Sequence, residues 1–407
     1  MTASEQQPYT VSIAALPRLI PRTSTFVDVR SWVFWVGLAL TVYGLVRWSP
    51  HIARAIQTAP DTALLAASLW LLYGLAFIVI LYRMELFERR SPITVIGALL
   101  WGALAAPGMG AIAAPAMHDV VASALGADNP WVTSFAAPLS EEPLKLLGVL
   151  ALALIPGARV RSAADGLFYG AVVGLGFQIS ESFLYTATFA AEGTAETVWQ
   201  MFLLRGVIGG LWSHATFTAI AGAGLGYFFN AGTSSLRRWA ALLGGLGLAM
   251  ALHGFFDTPW FSGTAVVSSV VKGVPVLALF LVVLRWAHLR ERRTFAGLAR
   301  HVVPDDLVSP GDFSTLATRR ARRRARHWAE RRGGRPTARA LRRLQGAQLS
   351  LLTAAHEDGW GSPRTVELSR DVRILSATLD RRQGAADAQR RIDNQRRIDD
   401  RSAQDRR

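Results

Sequence analysis

The sequence contains no cysteine among its 407 residues, which excludes disulfide bonds and thiolate metal ligands. Metal sites built from histidine and carboxylate side chains remain open. Charged residues are also scarce, at 18% against 51% hydrophobic residues, and the mean hydropathy is +0.26. A chain this apolar is not an ordinary soluble protein of its length, and its composition is typical of a protein with several membrane spans.

The positive charge is concentrated at one end of the chain. The formal net charge is +15, and the part from Arg290 onward contributes +13 of it, with 28 Arg against 15 Asp or Glu. The N-terminus is polar and contains Glu5, so it does not read as a cleaved signal peptide. We interpret the chain as a polar cytosolic leader (1–30), a transmembrane bundle (31–288) and an Arg-rich cytosolic tail (289–407).

Eight apolar segments are each long enough to cross a membrane, since a helix needs about 20 residues to span about 30 Å of hydrocarbon. The sixth segment is long and contains Arg205 beside several glycines. We count it as one crossing, because a total of eight spans then agrees with the charges of the flanking loops. The segments are residues 32–47, 63–81, 92–113, 132–155, 163–188, 199–229, 239–256 and 264–286. The sequence therefore predicts an all-α, polytopic transmembrane helix bundle of about eight spans with a basic cytosolic helical tail.

Loops that are rich in arginine alternate with loops that carry only acidic residues. Lys and Arg are enriched on the cytoplasmic side of membrane proteins. Eight spans place the arginine-rich segments on that side with both termini inside, whereas the loops 118–130 and 189–198 contain no Lys or Arg. Arg47 and Arg54, in the first outer loop, are exceptions to this pattern.

The tail combines a basic stretch with a helical pattern. Arg319–Arg343 is strongly basic, and the apolar residues that follow at helical spacing are Leu341, Leu344, Ala347, Leu351 and Leu352. We predict that the tail is a small, partly helical appendage with a disordered end from Arg381. Its basic face is predicted to lie against anionic lipid. No nucleic-acid-binding fold is recognisable, so a nucleic-acid partner has little support.

Four of the apolar segments, the fourth to the seventh, carry ionisable residues of interest inside them or at their end, and such a residue costs at least about 2.5–3.5 kcal/mol to insert. The fourth segment contains Glu141, Glu142 and Lys145, and the later ones contain Glu181, His214, His253 and Asp257. At a rise of about 1.5 Å per residue, three of these four segments place their polar group in the outer half of the bilayer. We therefore expect the four segments to bring these side chains together.

Each of these residues also has a purely structural interpretation. Glu141 and Lys145 are spaced i, i+4, as are His253 and Asp257, and such pairs neutralise each other. Glu181 could hydrogen-bond a neighbouring helix. Three glutamates and two histidines on four spans nevertheless favour a joint functional site.

Hydrolysis is the chemistry that such a set supports. A buried carboxylate can take a proton from water. Two imidazoles with a carboxylate can hold Zn²⁺ and leave one position for that water, or, without metal, the imidazoles can donate to an oxyanion. Two other classes remain open: a proton-coupled transporter that uses Glu141, Glu181 and His214 as a relay, and a non-catalytic scaffold whose tail recruits a cytosolic partner.

The ordered motifs resemble those of the PrsW family of bacterial intramembrane proteases, which are more distantly related to type II CAAX prenyl endopeptidases and bacteriocin-processing enzymes. The motifs are Glu141-Glu142-x-x-Lys145, Gly-Phe-x-x-x-Glu181, His214 with Phe217-Thr218, and His253-Gly-x-x-Asp257. The resemblance covers about residues 90–288. It implies a multi-pass peptidase of the bacterial inner membrane that cleaves a membrane-associated protein, such as an anti-sigma factor cut on its outer side.

The same resemblance implies roles for individual residues. Glu141 would activate water with Glu142 beside it, and the metal ligands or transition-state donors would be Glu181, His214 and His253, supported by Lys145 and Asp257. The family often has Asn after the glutamate of its second motif, where this chain has Ser182.

Pro143 leaves two local structures open around the glutamate pair. In a continuous helix it removes the hydrogen bond to Leu139 and kinks the helix. If Ser140 is instead an N-cap, Pro143 lies in the first helical turn without cost. We favour the second structure.

Overall fold

A computed structural model describes residues 27–404, apart from short segments at 85–86, 88–89, 156–159, 192–193, 211–212, 230–233 and 262, and describes side chains up to residue 389. The described residues form helices and no strand, so the all-α prediction is confirmed. The chain divides into two compact units, one of Ser24–Gly297 and one that contains Leu298–Arg407. The domain boundaries at 30/31 and 288/289 stay predictions.

The helices that begin in the first unit are mostly long, and two π-helical segments lie among them. They are α1 (Trp32–Thr58), α2 (Pro60–Met84), α3 (Pro92–Leu100), π1 (Trp101–Ala105), α4 (Ala106–Leu125), α5 (Val132–Leu154), α6 (Ala163–Phe189), α7 (Ala195–Phe202), π2 (Leu203–Ile208), α8 (His214–Phe228), α9 (Ser235–Phe256) and α10 (Ala265–His301).

Six helical stretches in the described part of the chain are long and apolar enough to cross a membrane: α1, α2, the continuous stretch Pro92–Leu125, α6, α9 and α10. Two predicted segments are not among them. The first, α5, carries three charged residues within five positions, and the second, 199–229, is divided into α7, π2 and α8. Gly209 and Gly210 follow π2 and favour the break before α8, because glycine is a poor helix former. The count of eight spans and the orientation stay predictions.

Helix α6 forms the centre of the first unit. It packs against α8, α2 and α3, and all but one of residues 163–178 are buried. A helix that is hydrophobic on every side belongs in the interior rather than at a surface. The polar residues that α6 does carry, near its C-terminal end, are therefore held inside the protein.

Glycines let α6 and α8 approach each other to backbone contact. Gly166, Gly170 and Gly174 are spaced four residues apart on α6, and a Cβ at any of them would collide with a backbone carbonyl of α8. At Gly174 that carbonyl belongs to His214. Small residues at this spacing are a common means of close packing in membranes. The close approach fixes the position of the first residue of α8 relative to α6.

Helix α5 is continuous through Pro138 and Pro143, so the prediction that Ser140 caps a helix start is wrong. The Ser140 hydroxyl instead donates back to the carbonyls of Ala136 and Ala137, at 3.0 Å each. The helix packs along α4 and α9, and this tertiary packing outweighs the loss of one backbone hydrogen bond at each proline. The glutamate pair therefore lies in the middle of a helix.

The second unit contains α11 (Pro310–Leu316), α12 (Arg319–Glu357) and α13 (Pro363–Gln404), with α12 packed against α13 and broken at Gly334, where φ is 73°. Its core includes the fully buried Leu351, Leu352 and Val372. Helix α13 continues to Gln404, which differs from the predicted disordered end.

Candidate active site

Four helices bring the charged residues of the first unit into one cluster. Helix α5 contributes two glutamates and a lysine from its middle, and α6 contributes a glutamate near its C-terminal end. Helix α8 contributes its first residue, and α9 contributes a histidine near its end and the aspartate that caps it. These residues are Glu141, Glu142, Lys145, Glu181, His214, His253 and Asp257. All seven are joined by contacts of 4 Å or less.

Lys145 lies at the centre of the cluster and is completely buried. Its ammonium group donates to Glu141 Oε2 at 2.9 Å and to Glu142 Oε1 at 2.8 Å. A third contact, 2.9 Å long, joins Nζ to Nδ1 of His214, and the ring of Phe177 lies 3.9 Å away. The lysine therefore ties α5 to α8 and α6.

Glu142 is also completely buried, and both of its oxygens have partners. Oε1 accepts from Lys145 and lies 3.0 Å from Nδ1 of His253, while Oε2 accepts from the Thr218 hydroxyl at 3.0 Å. A buried carboxylate with several donors is held in one position. Glu142 therefore orients His253 and is poorly placed to meet water.

Glu141 differs from Glu142 because its side chain is 13% exposed to solvent. Its Oε2 lies 3.8 Å from Nδ1 of His214 and 3.9 Å from Nε2 of His253. Its Oε1 has no hydrogen-bond partner among the described residues. Glu141 is thus the α5 carboxylate that water can reach, and it faces both imidazoles.

Glu181 holds His214 from the side of α6. Its Oε2 lies 3.1 Å from Nε2 of His214 and accepts from the Arg205 guanidinium at 2.6 Å. Because Lys145 donates to Nδ1, the hydrogen-bond pattern assigns the ring proton of His214 to Nε2, facing Glu181. Such a carboxylate partner fixes the orientation and tautomer of a histidine.

Arg205 is a site residue that the motifs did not identify. It extends from π2, donates Nε to the hydroxyl of Ser182 at 3.3 Å, and stacks over the Tyr185 ring at 4.3 Å. The cost of a charge in an apolar segment, which singled out the other residues, applies equally to Arg205. Thr218 and Phe177 lie within the quoted motifs, but no role was predicted for them, because a hydroxyl and a phenyl ring are ordinary in membrane helices.

His253 is enclosed by carboxylates on both sides of its ring. Nδ1 faces Glu142, and Nε2 lies 3.3 Å from Oδ2 of Asp257, at the end of the same helix. Its ring stacks on Phe217, with centroids 5.1 Å apart. The side chain of Asp257 is 27% exposed and that of Arg205 is 30% exposed, so the cluster opens on the side of these two residues.

Residues 90–286 match the family described as PrsW family intramembrane metalloprotease. This part of the chain resembles the PrsW family. No curated protein and no solved structure matches the chain significantly. The matched PrsW region contains every residue of the cluster and supports an intramembrane protease in a multi-pass membrane protein.

The PrsW region also contains a group of side chains that could hold a metal ion. One donor atom from each of Glu141, Glu142, His214 and His253 lies within 4.8 Å of the others. The predicted ligand set had Glu181 in place of the two α5 glutamates, but Glu181 is held by Arg205 and His214. Two imidazoles with carboxylates are the ligands that Zn²⁺ accepts in the absence of thiolates.

The charges of the cluster also suit a cation. Among the described residues, the permanent cations that form ion pairs with the four carboxylates are Lys145 and Arg205, so these six groups carry a formal excess of two negative charges. A divalent ion or protonation of the imidazoles would balance that excess. The donor set therefore fits a metal by both composition and charge.

Proposed function

We propose that this protein is an intramembrane endopeptidase that hydrolyses peptide bonds of a membrane-associated protein with a water activated by Glu141. The observation that carries the proposal is the position of Glu141. Its carboxylate is partly exposed and lies between two imidazoles that other residues hold in place. The neighbouring Glu142 is saturated with hydrogen bonds, which leaves Glu141 as the base.

In the proposed reaction, Glu141 takes a proton from water as the water oxygen attacks the peptide carbonyl carbon. The same carboxyl group then gives the proton to the leaving nitrogen as the C–N bond breaks. Glu142 holds His253 at Nδ1, and the Nε2–H of His253, which lies 3.3 Å from Asp257 before substrate binds, donates to the developing oxyanion. Glu181 and Arg205 keep His214 in one orientation.

A zinc ion, when bound, would supply a Lewis acid that polarises the carbonyl and activates the water. His214, His253 and Glu142 would hold it, and Glu141 would remain the base. This set departs from the predicted one by the exchange of Glu181 for Glu142, since Glu181 orients His214 in the way that carboxylates orient metal-ligating histidines.

The test compares the N-termini of membrane proteins in cells that produce wild type or the Glu141→Gln variant, which keeps the shape of the side chain. Wild-type membranes should contain new N-termini that cleavage produces. We expect these N-termini to be about 10²–10⁴-fold less abundant with the variant, the usual effect of losing a general base. Glu196→Gln is the matched control, because Glu196 is exposed on α7 and its side chain accepts a hydrogen bond from Gln200, which is not part of the cluster. Identical cleavage products in wild type and Glu141→Gln would refute the assignment.

We propose an anti-sigma-factor-like protein as the substrate, as the resemblance implies, and an inner-membrane location with both termini in the cytoplasm. On this proposal the new N-termini map to segments at the outer face of the membrane. Reporter fusions at the termini and at loops 118–130 and 189–198 test the orientation directly. Fusions that report both loops as cytoplasmic would contradict it.

We further propose that the basic start of α12 binds anionic lipid. Residues 319–335 carry nine Arg and one Glu, and Trp328 is 46% exposed on the same stretch. In lipid nanodiscs, chymotryptic cleavage after Trp328 should slow when anionic phospholipid is included and recover at high salt. Arg323→Gln with Arg324→Gln should reduce the protection, whereas the corresponding Lys variants should keep it. Equal cleavage in neutral and anionic nanodiscs would exclude lipid binding by this surface.

A further inference from the structure

All three N–H donors of the Lys145 ammonium point to residues that could hold a metal ion. An ammonium has three donors, and the three acceptors lie 2.8–2.9 Å from Nζ: Glu141 Oε2, Glu142 Oε1 and His214 Nδ1. The remaining side of the group faces the Phe177 ring at 3.9 Å. The ammonium is therefore fully coordinated inside the protein and has no contact with solvent.

The acceptors of Lys145 belong to three of the four residues that could hold a metal. The choice of atoms is most restricted at His214, because its Nε2 donates to Glu181 and only Nδ1 keeps a lone pair. A metal ion on His214 would need the same lone pair that now accepts from Lys145. Ligand-to-zinc distances are only about 2.0–2.2 Å, so an ion on these atoms would enter the space next to Nζ.

A divalent ion and the ammonium would also repel each other in a site with little water to screen them. The geometry points to Lys145 as an internal competitor for the cation position of this site: its ammonium fills in part the place of a metal, and a metal binds only by displacing it. This inference rests on the metal-ligand set of the proposed function, since it concerns the same donors. It makes Lys145 the residue that sets how tightly the site takes up a metal.

The experiment measures zinc affinity, not cleavage. Full-length wild type and Lys145→Met are purified in detergent, stripped with a chelator and titrated with Zn²⁺ in competition with a fluorescent zinc indicator. Bound zinc is counted separately by elemental analysis. We expect Lys145→Met to bind zinc at least tenfold more tightly than wild type, because the neutral side chain leaves the lone pairs of Glu141, Glu142 and His214 free.

The matched control is Lys272→Met. Lys272 is another buried lysine of the first unit, and it donates to the Thr258 carbonyl at 2.8 Å instead of to the candidate donors. Its substitution should leave zinc affinity within twofold of wild type. An equal gain in both lysine variants would show a general effect of lost positive charge and would overturn the inference, as would unchanged or weaker binding in Lys145→Met.

A second variant and a second measurement guard against misfolding. Lys145→Gln keeps a hydrogen-bond donor, on a side chain one atom shorter, without the charge, and it decides the question if the Met variant is not monodisperse. Zinc should raise the Tm of Lys145→Gln by more than it raises the Tm of wild type at the same concentration, since a ligand that binds more tightly stabilises the folded protein more. Equal zinc-induced Tm shifts would refute the competition.

The outcomes separate this inference from the proposed function. Tighter zinc binding in Lys145→Met together with full cleavage by Glu141→Gln would support the inference and refute the assignment of Glu141. Unchanged zinc binding together with loss of cleavage in Glu141→Gln would do the reverse.

Discussion

Both units have an apolar core, but the first also buries a charge cluster and exposes leucines. In the first unit Glu142 and Lys145 have no exposure, while Leu71 and Leu72 are each 64% exposed. In the second unit Leu351 and Leu352 have no exposure, and the exposed residues of α12 include many of its arginines. The contrast teaches that each unit is built for a different solvent. Exposed leucines are stable where the surroundings are lipid, and a buried charge cluster is affordable there only because its members satisfy each other.

The largest effect is expected where the backbones of the first unit touch. Gly174→Val would place a side chain against the His214 carbonyl and force α8 away from α6. Overpacking of this kind costs about 1–3 kcal/mol or more, and here it also displaces a site residue, so cleavage should be abolished. Gly247→Val on α9 is the control, because a Cβ there meets nothing within 4 Å. Activity assays and the Tm of both variants in detergent decide the matter, and retained cleavage in Gly174→Val would contradict the packing argument.

A buried leucine of the second unit should matter more than an exposed leucine of the first. We expect Leu351→Ala to lower the free energy of unfolding of the second unit by about 2–5 kcal/mol, because it leaves a cavity in the core. Leu71→Ala, on the exposed face of α2, should change stability by less than about 0.5 kcal/mol. Hydrogen exchange of the full-length protein reports both units at once. Equal protection losses in the two variants would remove the contrast.

Adding a charge to an exposed position tests the solvent of each unit directly. Leu71→Arg, near the middle of α2, should cost about 2.5–3.5 kcal/mol in membrane insertion. Ile374 is 46% exposed on α13, and Ile374→Arg should change the stability of the second unit little, because an exposed arginine remains hydrated. The yield of membrane-inserted protein measures the first effect, and Tm measures the second. Normal insertion of Leu71→Arg would show that α2 does not face lipid.

The smallest of these effects is expected at Arg205. Arg205→Gln removes the charged partner of Glu181 and should lower kcat about 10–100-fold through a misoriented His214, with KM changed less. Arg205→Lys keeps the charge and should recover part of the loss. Steady-state kinetics on a cleaved peptide identified in the N-terminal comparison supply the measurement. A change confined to KM would assign Arg205 to substrate binding instead.

Much of the candidate site could be predicted from the sequence because a charge inside an apolar run is conspicuous. Glu141, Glu142, Lys145, Glu181, His214, His253 and Asp257 were all identified in this way, and the structure places them together. Position along a helix axis follows from the rise per residue, whereas rotation about that axis does not. For this reason the sequence could not show that Glu142 is enclosed while Glu141 is partly exposed.

The sequence by itself determined the all-α fold, the apolar helices and the identity of the clustered residues, because composition and the cost of buried charge are local properties. Only the tertiary structure decided that α5 runs unbroken through Pro143, that Arg205 joins the site and that Lys145 occupies its centre. These features depend on how closely neighbouring helices pack. The distance between α6 and α8 is set where Gly174 contacts the His214 carbonyl, and these two residues are 40 positions apart in the sequence.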